Sequence, residues 1–164
     1  ESKYSGLAAD ERGHCSWFLT RTNKEHQATM EHPFMKTIFA KNFDREAYIY
    51  HIVGQYHVFS ELEVLVAPLR AEQPLAVVYD EDLHRAAGLA QDLEFWCGEG
   101  WRKRAAAPSP ETARYLAQLR ADASDPWKLL CHHFLQYNAV LSGGQYLGGK
   151  VSERAREAAG AGAS

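Results

Sequence analysis

The sequence predicts an all-α fold in a single domain, and three observations carry that expectation. Strand signals are sparse: no Asn-Gly or Asp-Gly hairpin turn occurs, and the longest β-rich run, Ala76-Val77-Val78-Tyr79, leads straight into acidic residues. Apolar side chains recur at steps of three and four, most clearly between Arg45 and Ala67. Helix start and stop residues punctuate the rest of the chain. A length of 164 residues suits one domain with a buried core. The expectation is therefore one domain over 1–164 built from about six or seven helices, with 1–10 and 160–164 as flexible ends.

Each element has its own signal. From about Asp10 to Glu31 the bulky or apolar positions Trp17, Phe18, Ala28 and Met30 stand among polar residues. Pro33 ends that run, because its ring removes a donor and clashes with the turn before it. A short helix over Phe34–Ala40 follows, and Asp44 is a candidate N-cap for the next. In that long helix Ile49, Ile52, Val53, Tyr56, Phe59, Leu62 and Val66 make one broad apolar stripe, closed by Pro68 and Pro74. The next helix is expected from about Glu81 to Trp96, capped by Asp80 and stopped by Gly98 and Gly100. Ser109-Pro110-Glu111 opens another, to about Ala123, with Ser109 as N-cap and proline in the first turn. Asp125-Pro126 repeats the start signal for a helix from Trp127 through Leu141, which meets Gly143-Gly144 and resumes toward Ala159. Phe95, Trp96, Trp101 and Trp127 read as core.

Composition excludes several classes. Hydrophobic residues make up 46% and charged residues 24%, with a net charge of −3, so the basic excess of a general nucleic-acid binder is missing. No apolar run reaches membrane-span length. The three cysteines, Cys15, Cys97 and Cys131, are odd in number and far apart, which argues against a disulfide scaffold or a zinc site. A soluble protein of a reducing compartment is expected, either cytoplasm or the stroma of a plastid or other organelle after loss of a targeting segment.

The glycine pair Gly143-Gly144 stands inside an otherwise apolar helix, where each glycine costs about 1 kcal/mol relative to alanine. Two readings are open: a tight helix crossing, or close approach of backbone to something large and flat. Gly148-Gly149 follows within two turns, so this helix is built to bend. Glu11 with His14, and Glu81 with His84, have the i, i+3 spacing of di-iron bundles. Gly13 weakens the first pair as a helix, and the second sits at a helix start. The adjacent His132 and His133 point to different faces and cannot chelate one metal together. His26 stands on a polar-looking helix, where a lone histidine is more often structural than a ligand.

Three stretches share one resemblance. Tyr137-Asn138-Ala139-Val140-Leu141-Ser142-Gly143-Gly144-Gln145 resembles the distal-helix motif of haem oxygenases, usually YLGDLSGGQ. The run His84-Arg85 through Asp92-Leu93-Glu94-Phe95-Trp96 is similar to that family's HRxxxLxxDLxFW stretch. Thr22-Asn23-Lys24-Glu25-His26-Gln27-Ala28, followed by Phe34-Met35, resembles its proximal helix. The resemblance implies a haem oxygenase-like helical bundle in which His26 and the Gly143-Gly144 helix face each other across a cleft. It makes His26 the iron ligand, a neutral imidazole being a standard axial ligand of haem. It also implies haem contacts from Phe59, Ala139, Val140, Ser142, Gly143 and Gly144. The family's propionate-binding lysines are matched by Leu19 and Asn23, which leaves Arg21 and Lys24 as the nearby cations. The lysines and arginines of the family's last helix find no match.

The same resemblance implies an activity: oxidative cleavage of haem to biliverdin, iron and carbon monoxide. Haem is then both substrate and cofactor, dioxygen is consumed, and electrons come from an external reductase or ferredoxin. This chain departs from the pattern on the distal side. Val140 replaces the usual Asp, Ala139 the usual Gly, Gln136 an Arg and Phe59 a Tyr. Plant-type relatives also lack the Asp and carry His there. With valine at that position, a distal water relay falls to the backbone carbonyls of Ala139 and Gly143. The competing expectation is a non-catalytic relative, a haem carrier or a helical subunit kept for contacts in a larger protein complex. Val140, Phe59 and Gln136 favour that alternative, whereas the intact run Leu141-Ser142-Gly143-Gly144-Gln145 favours the enzyme.

Overall fold

A computed structural model of the protein describes residues 20–39, 44–144 and 146–153. They fall into two compact units, divided between Phe43 and Asp44. Among the described residues every regular element is a helix or helical turn, and there is no strand. No described helix is long and apolar enough to cross a membrane. The expected flexible ends, the helical start near Asp10, Glu11 with His14, Cys15, and the helix end toward Ala159 lie outside the described residues.

The first unit holds α1, Asn23–Glu31, and α2, Pro33–Phe39. Pro33 separates them as expected, since the residue before proline is pushed out of the helical region and His32 has ψ 136. The break supplies its own cap: the His32 imidazole Nδ1 accepts from the Phe34 amide at 3.2 Å.

The second unit is organised around α3, Arg45–Val66. Its N-cap is Asp44, whose carboxylate accepts from Glu46 N at 2.9 Å and Ala47 N at 3.0 Å. From the expected stripe Ile49, Ile52, Phe59, Leu62 and Val66 are buried, and Val53 and Tyr56 are half-buried. Each buried side chain of that size contributes roughly 1.5–3 kcal/mol. The stripe packs against α4, Ala86–Cys97, α6, Pro110–Ala121, and α7, Pro126–Ala139. Between them α5 is a single turn, Trp101–Arg104, which sets the 4% exposed Trp101 edge-on to Tyr56 at 5.4 Å.

Residues 67–85 differ from expectation. The run Ala76–Tyr79 is neither strand nor long helix, because Leu75–Val77 forms a 3-10 turn that buries Leu75 completely. Asp80 does cap, but only a second 3-10 turn, Glu81–Leu83, through Asp82 N at 3.0 Å. His84 then turns to ψ 135, and α4 starts afresh at Ala86. Its cap comes from elsewhere: Glu63 Oε1 on α3 accepts from Arg85 N at 2.6 Å and Ala86 N at 3.1 Å. Gly98 ends α4 with φ +66, a conformation that needs glycine. Ser109 and Asp125 cap α6 and α7 as the sequence predicts. The aromatic set divides: Trp101 is core and Trp96 half-buried, but Phe95 is 74% and Trp127 65% exposed. Phe95 lies two residues past Leu93 and so falls off the buried face, and Trp127 lies in the exposed first turn of α7.

Candidate functional site

The glycine-bearing helix is not regular. After α7 the chain widens into a π-turn over Val140–Gly144 and is helical again over 146–153. At the end of α7 the Val140 amide donates to the carbonyls of both Gln136 and Tyr137, a bond shared between the fourth and third residues back. Single π-turns inside α-helices are often found at functional sites. The first glycine pair, where a bend is expected, falls in this π-turn.

Around the turn the surface is open. Ala139 and Gly143 are exposed, Gly144 and Val140 half-buried, and Leu141 is 53% exposed. A Cβ built on Gly143 meets no heavy atom within 4 Å, and the same holds for Gly148 and Gly149. On Gly144 it would lie 3.4 Å from Val140 Cγ1, ordinary contact. Among the described residues, packing gives no reason for glycine at position 143.

The other predicted residues are distributed as follows. His26 lies exposed on α1, and among the described residues its imidazole meets no partner. Lys24 is exposed on the same helix, and Arg21 is exposed just before it. Phe59 is 1% exposed and packs edge-on against Tyr137 at 5.2 Å, so it supports α7 from within the core. Tyr137 donates to Glu63 Oε1 at 3.3 Å, and its own pKa is raised by burial and by the neighbouring Glu63 charge. One carboxylate oxygen on α3 therefore ties down both the start of α4 and the helix that leads into the π-turn.

The two adjacent histidines diverge, as their spacing predicts. His133 is 6% exposed against the Tyr137 ring at 4.4 Å, and burial followed by the charge of His84 pushes its pKa down. His132 Nε2 lies 3.2 Å from Asp122, and its Nδ1 lies 2.9 Å from the Tyr115 hydroxyl. Hydrogen bonds from Gln118, Lys128 and His132 hold the Asp122 carboxyl down at about 2. Gln136 Nε2 in turn donates to the Tyr115 oxygen at 3.1 Å. Sequence reasoning missed this chain. Its signal was available, since Gln118 and Asp122, and His132 and Gln136, each stand one helical turn apart on two consecutive helices.

No predicted site residue lines a cavity of about 350 Å³ between α3 and α6. Its charged walls, Glu61 and Arg120, satisfy each other through two bonds of 2.8 Å. Glu81 and His84 do not share a helix, and the described residues contain no group of three metal-ligating side chains.

A family model described as heme oxygenase matches residues 18–163. The heme oxygenase of Rhodella violacea is 31% identical over 127 residues, covering 77% of this chain and 54% of its own length. Heme oxygenase 1 of Homo sapiens is 30% identical over 136 residues, covering 82% of this chain and 46% of its own. The chain spans about half the length of the curated relatives it matches. Among solved structures, heme oxygenase-1 of the cyanobacterium Synechocystis, in complex with heme, superposes with a TM-score of 0.76 at 27% identity, covering 83% of this chain and 62% of the other. Heme oxygenase from Leptospira interrogans gives 0.73 at 26% identity, with coverage of 80% and 64%. The chain belongs to the haem oxygenase family.

Proposed function

We propose that this chain binds haem through His26 and opens it oxidatively to biliverdin, iron and carbon monoxide, consuming dioxygen and electrons from an external reductase or ferredoxin. The observation that carries the reading is the π-turn whose Gly143 has no packing reason to be glycine. A helix that gives up side chains and regular hydrogen bonding at one exposed point suits the approach of a flat macrocycle. The exposed imidazole of His26, without a partner among the described residues, suits a ligand to haem iron.

When bound, haem supplies the ring to be cleaved and the iron that activates dioxygen. This chain supplies the rest. The imidazole of His26 would hold the iron, and Lys24 and Arg21 would offer cations to the propionates. Gly143, Gly144 and Ala139 let backbone come close to the porphyrin face, and Ser142 accompanies them. The Val140 side chain, packed over Gly144, keeps an apolar surface there. The carbonyl oxygens of Ala139 and Gly143 accept from water and so hold the proton supply at backbone rather than at a carboxylate. The free thiols of Cys97 and Cys131 support a reducing compartment, cytoplasm or plastid stroma.

Titration of the purified chain with haemin tests the binding step. A Soret band saturating at one equivalent is expected, and His26→Ala should abolish or shift it. An identical spectrum in that variant overturns the assignment of His26.

A further inference from the structure

Asp122, His132, Tyr115 and Gln136 form a hydrogen-bonded chain, and with a neutral imidazole it has one direction. It begins at Asp122, whose carboxylate accepts Gln118 Nε2 at 2.8 Å, Lys128 Nζ at 3.0 Å and His132 Nε2 at 3.2 Å. The side chains of His132 and Asp122 are only 15% and 10% exposed. An ionised carboxylate only accepts, so in the neutral imidazole the hydrogen sits on Nε2 and Nδ1 is bare. The bare nitrogen is met by the Tyr115 hydroxyl at 2.9 Å, which must donate. Having given its one proton, the Tyr115 oxygen can only accept, and the amide nitrogen of Gln136 reaches it at 3.1 Å. A carboxylate on the far side of His132 thus decides which way the Gln136 amide points.

The consequence falls on the glycine helix. With Nε2 turned to Tyr115, the Gln136 carbonyl Oε1 faces away, and no donor meets it among the described residues. Gln136 stands one turn before Val140, and the Val140 amide still donates to the Gln136 carbonyl, so the two residues share a helix face. We propose that Gln136 Oε1 is the fixed hydrogen-bond acceptor that this chain presents on the Val140 face, with Asp122, His132 and Tyr115 as the positioning residues that hold it. This rests on the haem-binding reading. On a face where position 140 is valine, a locked carbonyl accepts from water and disfavours anions, whereas the reversed amide would offer N–H and favour them.

Two readouts test the proposal. In the haem-free chain, nitrogen-15 NMR of the imidazoles reports the His132 tautomer. Nε2–H is expected, and Nδ1–H overturns the chain of bonds whatever the protein binds. In the haemin-loaded chain, fluoride is the probe, since it binds ferric iron and responds to the nearest dipole. Asp122→Asn and Tyr115→Phe each release the amide to turn its N–H outward, so fluoride should bind about fivefold tighter in both. Neither should add to the effect of Gln136→Leu. Should Asp122→Asn fail to fold, Tyr115→Phe removes a single oxygen and decides the matter. Unchanged fluoride affinity in the variants that bind haemin overturns the role of Gln136 and leaves haem binding standing. No Soret band in the parent chain overturns both, and the tautomer then reports on the hydrogen bonds alone.

Discussion

Replacing Glu63 with alanine should destabilise the second unit by about 2–5 kcal/mol, because one oxygen atom serves three donors. Glu63 Oε1 accepts from Arg85 N at 2.6 Å, Ala86 N at 3.1 Å and the Tyr137 hydroxyl at 3.3 Å. The two amides lie at the start of α4, which has no cap from its own sequence neighbours, and losing a cap costs about 1 kcal/mol and at most about 2. Tyr137 is 4% exposed, so its hydroxyl loses a partner without gaining water, at a further cost of about 1–3 kcal/mol. Glu63 is only half-buried, and water entering the gap at α4 favours the lower half of the range. Urea unfolding followed by circular dichroism measures the change. The cycle with Tyr137→Phe isolates the shared bond: that variant should cost about 1 kcal/mol in the parent and should recover about 1–3 kcal/mol beside Glu63→Ala, where it removes the stranded hydroxyl. A loss under about 0.5 kcal/mol, the size of an ordinary surface change, would refute the reasoning. Strict additivity of the two variants would refute the coupling.

Three further outcomes follow from single residues. Gly143→Ala meets no neighbour within 4 Å, so thermal unfolding should show stability unchanged or raised by up to about 1 kcal/mol, while haemin affinity falls at least about tenfold. Gly98→Ala forces a side chain into φ +66, ψ −160, and urea unfolding should show a loss of about 1–3 kcal/mol. The pKa of His133 is lowered by burial and then by His84, so the unfolded chain binds more protons just below its ordinary value of 6.5. Its contribution to stability is therefore complete above 6.5 and is lost as pH falls through the lowered value. His133→Phe should flatten that part of the acid limb in urea midpoints measured from about pH 7.5 to about pH 5.5.

What was legible in the sequence is what local chemistry decides. Asp44, Ser109 and Asp125 cap helices whose first amides lie two or three residues away, and all three were readable. The start of α4 was not, because its cap, Glu63, lies more than twenty residues earlier on another helix; Asp80 offered a local cap and received only a 3-10 turn. Residue type misled where register decided, as exposed Phe95 and Trp127 show. The site divides in the same way. The cost of Gly143-Gly144 in a helix is local, and it pointed to the π-turn. The chain from Asp122 to Gln136 joins two helices and takes its direction from a carboxylate that only tertiary packing brings to His132. Phe59 is a haem contact only by its motif position, and its edge contact with Tyr137 inside the core is a tertiary feature that the sequence does not show.

The central claim is that a chain with Val140 in place of a distal carboxylate still opens haem. A single-turnover assay tests it most directly: the haemin-loaded chain is supplied with dioxygen and reduced ferredoxin, and biliverdin absorbance and released carbon monoxide are followed together. Both products are expected, in equal amounts and close to one per haem. Bleaching of the Soret band with neither biliverdin nor carbon monoxide would contradict it.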